Sequence, residues 1–437
     1  MKTFSGSALV APLALAAGLL SLAGPAGAGA PTCQGRPATI VGHPGSGDLV
    51  GTPGDDVIVT RGAGGVRAKA GDDRVCVTGA SSDGHVYVDA GPGDDRVVTS
   101  TPRSQRVSAS LGEGDDTFRG GPEPDGVQGE GPVVTGDGIP APVEGLDRIS
   151  TGGGSDSVRI GLAGSTSHDE VDLGAGDDLL QVDGLLAPDV RPRGRAGTDT
   201  LWPMPDQDGH AWSFDNVTET ALMDGAVQSR WQAFEHFVLT WLKPSSVDFT
   251  GGPAGEEVTA PSQLTGAAMG AGDDRLYVGL PDDHVVEARG GSGHDLFFAR
   301  ADAAVTVDLP AGAAWDETGA AIAPDALLRA FEDAGGLANQ VRLVGDDGDN
   351  LLDAAGCDVG ATGGAGDDRL RSSWVYDTFA CNRTDATASF AGGHGDDVLL
   401  GGGGPDRLLG GPGHDRAVGK HGRDLCRAEV RRTCERR

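Results

Sequence analysis

The sequence predicts an all-β chain coiled as a solenoid, and three observations carry that prediction. Glycine supplies 74 of 437 residues without a strict three-residue period, so the chain is not collagen-like. Turn signals of one kind, Gly-x-Asp followed by an apolar residue, recur from near residue 42 to near residue 427. Only 38% of the residues are apolar and 5% aromatic, too few for one thick core but enough for a narrow core repeated along an axis. Acidic residues number 65 against 34 basic, a formal charge of −31. A field of that sign repels a phosphate backbone, which excludes a nucleic-acid binder held by phosphate contacts.

The chain opens with an address. Lys2 precedes an apolar run from Ala8 to Leu22, and Ala26-Gly27-Ala28 has the small-x-small form of a cleavage site. Residues 1–28 are therefore expected to be a signal peptide of an exported, soluble, extracellular protein. Nothing later is long and apolar enough to span a bilayer as a helix. In an oxidising compartment the six cysteines read as three disulfides. Six cysteines allow fifteen connectivities, of which nearest-neighbour pairing gives Cys33–Cys76, Cys357–Cys381 and Cys426–Cys434 as candidates.

The repeat is clearest near the end. Residues 392–427 resolve into four consecutive nonapeptides, GGHGDDVLL, GGGGPDRLL, GGPGHDRAV and GKHGRDLCR. Each has Gly at positions 1 and 4, Asp at position 6 (Asp397, Asp406, Asp415, Asp424), and an apolar residue or Cys at position 8. Upstream, position 6 is filled by Asp56, Asp73, Asp95, Asp116, Asp156, Asp178 and Asp199 in a first solenoid segment, residues 29–200. It is filled by Asp274, Asp295, Asn350 and Asp368 in a second, residues 261–391. Each of these has Gly two residues before it and an apolar residue two after.

This pattern resembles the haemolysin-type calcium-binding repeat of RTX proteins, G-G-x-G-x-D-x-U-x. The resemblance implies a right-handed parallel β-roll or β-solenoid, here with irregular insertions. It also implies Ca²⁺ bound between stacked turns by the position-6 residues. The physical logic stands beside it. Glycines permit tight turns with positive φ, and such turns present carbonyl oxygens. Aspartate adds an anionic oxygen, and calcium favours six to eight oxygen ligands.

Spacing refines the picture. Position 6 steps from 56 to 73, 95 and 116, then 156 to 178 and 199, then 274 to 295, a first interval of 17 residues and then 21 or 22 each time. A second apolar alternation lies between these turns, as in Val86-Tyr87-Val88 and Val107-Ser108-Ala109. One coil is then strand, acidic turn, strand, plain turn, with ions expected along a single edge. From residue 397 on, the nine-residue step places acidic turns on both edges.

Between the two solenoid segments, residues 201–260 form an aromatic-rich insertion. Trp202, Trp212, Phe214, Trp231, Phe234, Phe237, Trp241 and Phe249 fall within it. The run FEHFVLTWL suits either a helical face or a strand. Its aromatics are expected to plug the core, a binding patch being the other reading. Ala326, Leu327, Ala330 and Phe331 suit a short helix in a second insertion, and a third surrounds Cys381. Residues 428–437 form a basic cap, and Arg431, Arg432, Arg436 and Arg437 within it join Arg427 just before it in the only basic cluster.

The chain shows no nucleophile elbow, no HExxH and no Walker A loop. His294, His394, His414 and His421 occupy variable turn positions. Of the proton donors a lyase would use, Tyr87 and Tyr277 read as lone strand residues, leaving Tyr376. No catalytic residue and no organic cofactor site is identified. The expected function is a secreted calcium-binding β-roll with a structural or adhesive role, whose partner beyond calcium is a cell-surface polysaccharide or protein. The alternative is a polysaccharide lyase or epimerase on the same scaffold.

Overall fold

The computed structural model describes residues 31–434, leaving out 101–104, 131–132, 135–139, 142–144, 241, 282, 317–322, 374–380 and 382–383. The leader, Trp241, Tyr376, Arg436 and Arg437 lie outside the described residues. No helix occurs among the described residues, and none is long and apolar enough to cross a membrane.

Short strands alternate between two faces of a solenoid. The front face is one parallel ladder running from Asp48–Val50 to Val430–Arg432. Each terminal strand has a single partner, so the ladder is open. The back face is built in two parts. An 8-stranded parallel sheet runs from Ile40–Val41 to Arg193–Ala196, and a 14-stranded sheet continues to Leu425–Arg427. An isolated parallel bridge between Arg193 and Gln232 links the two.

The strands are what their residues dictate. In His85–Pro92 the side chains of Val86, Val88 and Ala90 are buried while Tyr87 and Asp89 face out, the period-2 alternation of a strand. Position 8 of each repeat fills the core. Ile58, Val75, Val97, Phe118, Val158, Leu180, Leu276, Phe297, Leu370 and Leu399 are all fully buried in one continuous cluster. Each such burial contributes about 1.5–3 kcal/mol.

The insertions elaborate this core. Ala211–Asp215, Thr220–Met223 and Ala226–Arg230 form an antiparallel meander on the back sheet. The rings of Trp212, Phe214, Trp231, Phe237 and Phe249 follow one another at centroid separations of 5.2 to 6.3 Å. Trp231 is fully buried, and its Nε1–H donates to Asn216 Oδ1 at 2.9 Å. The aromatic segment is a core plug at every described ring but Trp202, which is half-buried. Within FEHFVLTWL, His236–Val238 is a strand, with Phe237 in register between Leu201 and Val258. The short helix expected at Ala326 is instead the strand Ala326–Arg329. Ala326 and Leu328 are buried while Leu327 and Arg329 are exposed, a period of 2 rather than 3.6.

The disulfides are Cys33–Cys76, Cys357–Cys381 and Cys426–Cys434. The first pins the hairpin of Thr32–Cys33 and Arg36–Pro37 against the back sheet.

Candidate metal sites

The repeat turns stack backbone on backbone. A Cβ on Gly112 would lie 2.0 Å from the Gly91 carbonyl oxygen, and one on Gly114 would lie 2.3 Å from that of Gly93. All four have φ between 101° and 140°, so only glycine fits. At position 1 the constraint is different. A Cβ on Gly392 or Gly410 would meet the Oδ2 atom of Asp397 or Asp415 at 2.0 Å. That glycine leaves room for a carboxylate oxygen and whatever it holds.

Position 6 forms a ladder with a direction. The Asp56 N–H donates to Asp73 Oδ1, Asp73 to Asp95 and Asp95 to Asp116, each at 2.7 Å. Asp116 donates to Asp147 and Asp147 to Asp169, at 3.0 and 2.9 Å. All these turns enter the back sheet.

A second file occupies the opposite edge, where turns enter the front sheet. Asp125, Asp156, Asp178, Asp199 and Glu235 are joined in the same manner, then Glu256, Asp274, Asp295 and Glu332, then Asn350, Asp368, Asp397, Asp415 and Glu429. Asp406 and Asp424 return to the first edge. The expectation of a single acidic edge upstream of residue 397 is therefore corrected. Asp56 to Asp116 lie on one edge, and Asp156 to Asp368 lie on the other. Between Asp116 and Asp178 both edges are acidic.

In most rungs Oδ1 accepts the neighbouring N–H while Oδ2 is buried without a hydrogen-bond partner. This holds for Asp73, Asp95, Asp116, Asp147, Asp156, Asp178, Asp199, Asp274, Asp295, Asp368, Asp397 and Asp415. A buried, unpaired carboxylate oxygen is costly unless something compensates it. Burial accordingly pushes Asp95, Asp116 and Asp147 up to about 8, with like charges along the file adding to the effect. Asp199, Asp274 and Asp368 rise to about 7, and Asp73 and Asp397 to about 6, again chiefly by burial.

Three residues of the expected metal set differ. Burial raises the Asp56 carboxyl, but the Thr52 N–H, the Thr52 hydroxyl and the Thr39 hydroxyl outweigh it and hold Asp56 below its ordinary value. Asn350 spends its amide on the Glu332 carbonyl and Asp346, and its Oδ1 on the Asp346 N–H. Asp406 Oδ2 accepts the Gly402 N–H at 2.7 Å.

The sequence pattern missed several rungs. Asp147, in Gly145-Leu146-Asp147-Arg148-Ile149, carries the Gly-x-Asp-x-apolar signal. Asp125 and Asp169 lack the glycine, and Glu235, Glu256, Glu332 and Glu429 reach the file with a longer side chain. Position 5 was missed altogether, although the doublet Gly-Asp-Asp announces it. The Asp94 N–H donates to Asp72 Oδ1 and the Asp115 N–H to Asp94 Oδ1; Asp367 bonds Asp349 and Asp396 bonds Asp367 likewise. This exposed ladder runs opposite in sense to the position-6 ladder.

Among the described residues no three His, Cys, Asp or Glu side chains gather into a metal-holding group. A cation between two coils would draw on one or two carboxylate Oδ2 atoms and on backbone carbonyls. Calcium accepts such an oxygen-rich, carbonyl-heavy shell, whereas zinc would want nitrogen or sulfur. The residues present fit calcium.

Residues 391–425 match the family model of the RTX calcium-binding nonapeptide repeat, in four copies. No curated protein matches the chain. The chain thus carries RTX-type calcium-binding repeats on an all-β parallel solenoid.

Proposed function

We propose that this chain is an exported calcium-binding solenoid with a structural or adhesive role, and that calcium occupies both edges well beyond the matched repeats. The row of buried Oδ2 atoms without hydrogen-bond partners carries this reading. Bound calcium supplies the positive charge that lets stacked carboxylates ionise together. The chain contributes the rest: glycines that bring coils into contact, N–H groups that fix each Oδ1, and a core that holds register. Asp147 joins the ligand set, whereas Asp56, Asn350 and Asp406, whose oxygens are already committed, stand outside it or at its margin. The leader sequence and three disulfides support export to an oxidising compartment.

The test is a calcium titration of the chelator-treated protein followed by circular dichroism, with magnesium as comparison. Calcium is expected to restore β structure and magnesium to do so poorly, because Mg²⁺ demands a tight octahedron. An unchanged β signal in chelator would overturn the reading.

One observation favours the polysaccharide-acting alternative. Tyr277 is not a lone strand residue: its ring lies 5.3 Å from Phe298. The same outward row continues to Asp353, held by Arg371 and by the Ser373 hydroxyl at 2.6 Å. Release of unsaturated uronates from acidic polysaccharides, read in the ultraviolet, would decide for that alternative.

A further inference from the structure

One cleft departs from the overall acidity of the molecule. On the outer face of the back sheet, a cleft of about 570 Å³ opens over the strands Thr117–Arg119, Arg148–Ser150, Glu170–Ala175 and Arg193–Ala196. Arg119, Arg148, Arg191, Arg193 and His168 line it, in a chain where acids outnumber bases 65 to 34. Arg191 is engaged by Glu219, which is not part of the lining, and the acids of the cleft are also partly engaged. Glu170 lies 3.5 Å from Arg148, and Asp172 is held by Arg195, which is not part of the lining. Asp189 is exposed at the wall.

Register explains the gathering. Arg119 pairs with Ser150, Ser150 with Asp172 and Asp172 with Arg193, so both arginines occupy one outward row three strands apart. At a strand spacing of about 4.8 Å, their rungs are separated by roughly 14 Å along the solenoid axis. Both side chains are exposed, and neither makes an ion pair with a described residue. Ser150 adds a hydroxyl in the row between them, beside Asp172, and Thr117 adds another on the strand of Arg119.

We propose that this cleft binds a carboxylate-bearing oligosaccharide lying along the solenoid axis. Arg119 and Arg193 take its carboxylates, and Thr117 and Ser150 hydrogen-bond its hydroxyl groups. Guanidinium is suited to carboxylate by its planar, paired donors. A nucleic acid is disfavoured twice over. Single strands are held on exposed aromatic rings that stack with the bases, and the cleft lining offers none, Phe118 being buried; a short oligosaccharide also places fewer charges in the cleft than a duplex.

The experiment titrates the calcium-loaded full chain with hexagalacturonate by calorimetry, against maltohexaose and a glutamate hexapeptide. Saturable binding of hexagalacturonate alone is expected, weakening as salt rises. Arg119→Gln with Arg193→Gln should lower the affinity about tenfold or more. Both positions are exposed, and a circular dichroism spectrum matching the parent shows that the variant has folded. Calcium bridging between the ligand and the acidic edges would survive both substitutions, so retained binding overturns the proposal. Equal binding of the glutamate peptide, or no binding of hexagalacturonate, overturns it as well.

Discussion

The coils around Asp56 to Asp95 and the two coils of tandem repeats at 392–427 are built on the same ladder but close their edges differently. In the first region the plain edge is shut by neutral groups. The Thr60 hydroxyl accepts the Thr78 N–H at 2.8 Å and donates to the Thr78 carbonyl at 2.9 Å. Ser81 and Gln105 exchange a similar pair of bonds further along. In the tandem region, Asp397 and Asp415 stack on one edge while Asp406 and Asp424 stack on the other. One region has a carboxylate file on one side and a self-satisfied seam on the other; the second has carboxylates on both. Dependence on a cation is therefore expected to follow the spacing of the acids, nine residues against about twenty, rather than their number.

The largest effect expected from this contrast is on removal of calcium. In chelator, hydrogen exchange should become fast throughout 392–427, while the Thr60–Thr78 seam keeps part of its protection. Equal loss in the two regions would break the comparison.

A smaller effect tests whether the regions communicate. Trp231→Ala removes a fully buried ring from the plug between them. It should cost about 3–5 kcal/mol in urea unfolding. Solenoid contacts are nearest-neighbour, so added exchange should stay near residues 180–260 and spare both ends. Exchange spreading to Asp397 would show one cooperative unit instead.

Thr60→Val acts on the neutral seam alone. It leaves the Thr78 N–H without its acceptor and should cost about 1–3 kcal/mol, with the same value in calcium and in chelator. A calcium-dependent cost would mean that the seam and the acidic edge are not separable.

The gentlest probe is pH in chelator. The folded carboxylates hold protons that an unfolded chain, with ordinary values near 3.9, has already released. The folded state then binds more protons, and stability falls as pH rises. For Asp397, raised to about 6, the fall should level off above about 6; for Asp95 and Asp116, raised to about 8, it should continue to about 8. Melting curves between pH 4.5 and 8.5 would sharpen the contrast, and a rise in stability with pH would contradict it.

How much of this was legible beforehand depends on what each residue type encodes. Asp at position 6 and the apolar residue at position 8 report their places directly, because turn and strand are local. The edge on which an aspartate lies is not local. Asp116 and Asp125 are nine residues apart and fall on opposite edges, but Asp125 sits in Glu-Pro-Asp-Gly and shows no repeat glycine. Glu256 and Glu332 enter the file only through register with distant coils. Asp56 is the converse case, matching the pattern while Thr39 and Thr52 saturate its oxygens. The basic cleft was invisible for the same reason. Arg119, Arg148 and Arg193 are scattered in sequence and meet only because each coil returns to the same face.

The direction of the position-6 ladder has a consequence for growth. Within each run a rung gives its N–H to the coil after it, so a run has a carboxylate end and an N–H end. Two copies meeting end to end would offer each other the missing half of a rung, as subunits do in a filament. The protein answers each end with its own residues. At the start, Thr39 and Thr52 satisfy Asp56, with the Cys33–Cys76 hairpin beside them. At the finish, on the opposite edge, Glu429 takes the Asp415 N–H at 2.8 Å, and Cys426–Cys434 ties down the segment that carries it. One file is in this way closed at its start and the other at its finish, which works against end-to-end growth between copies.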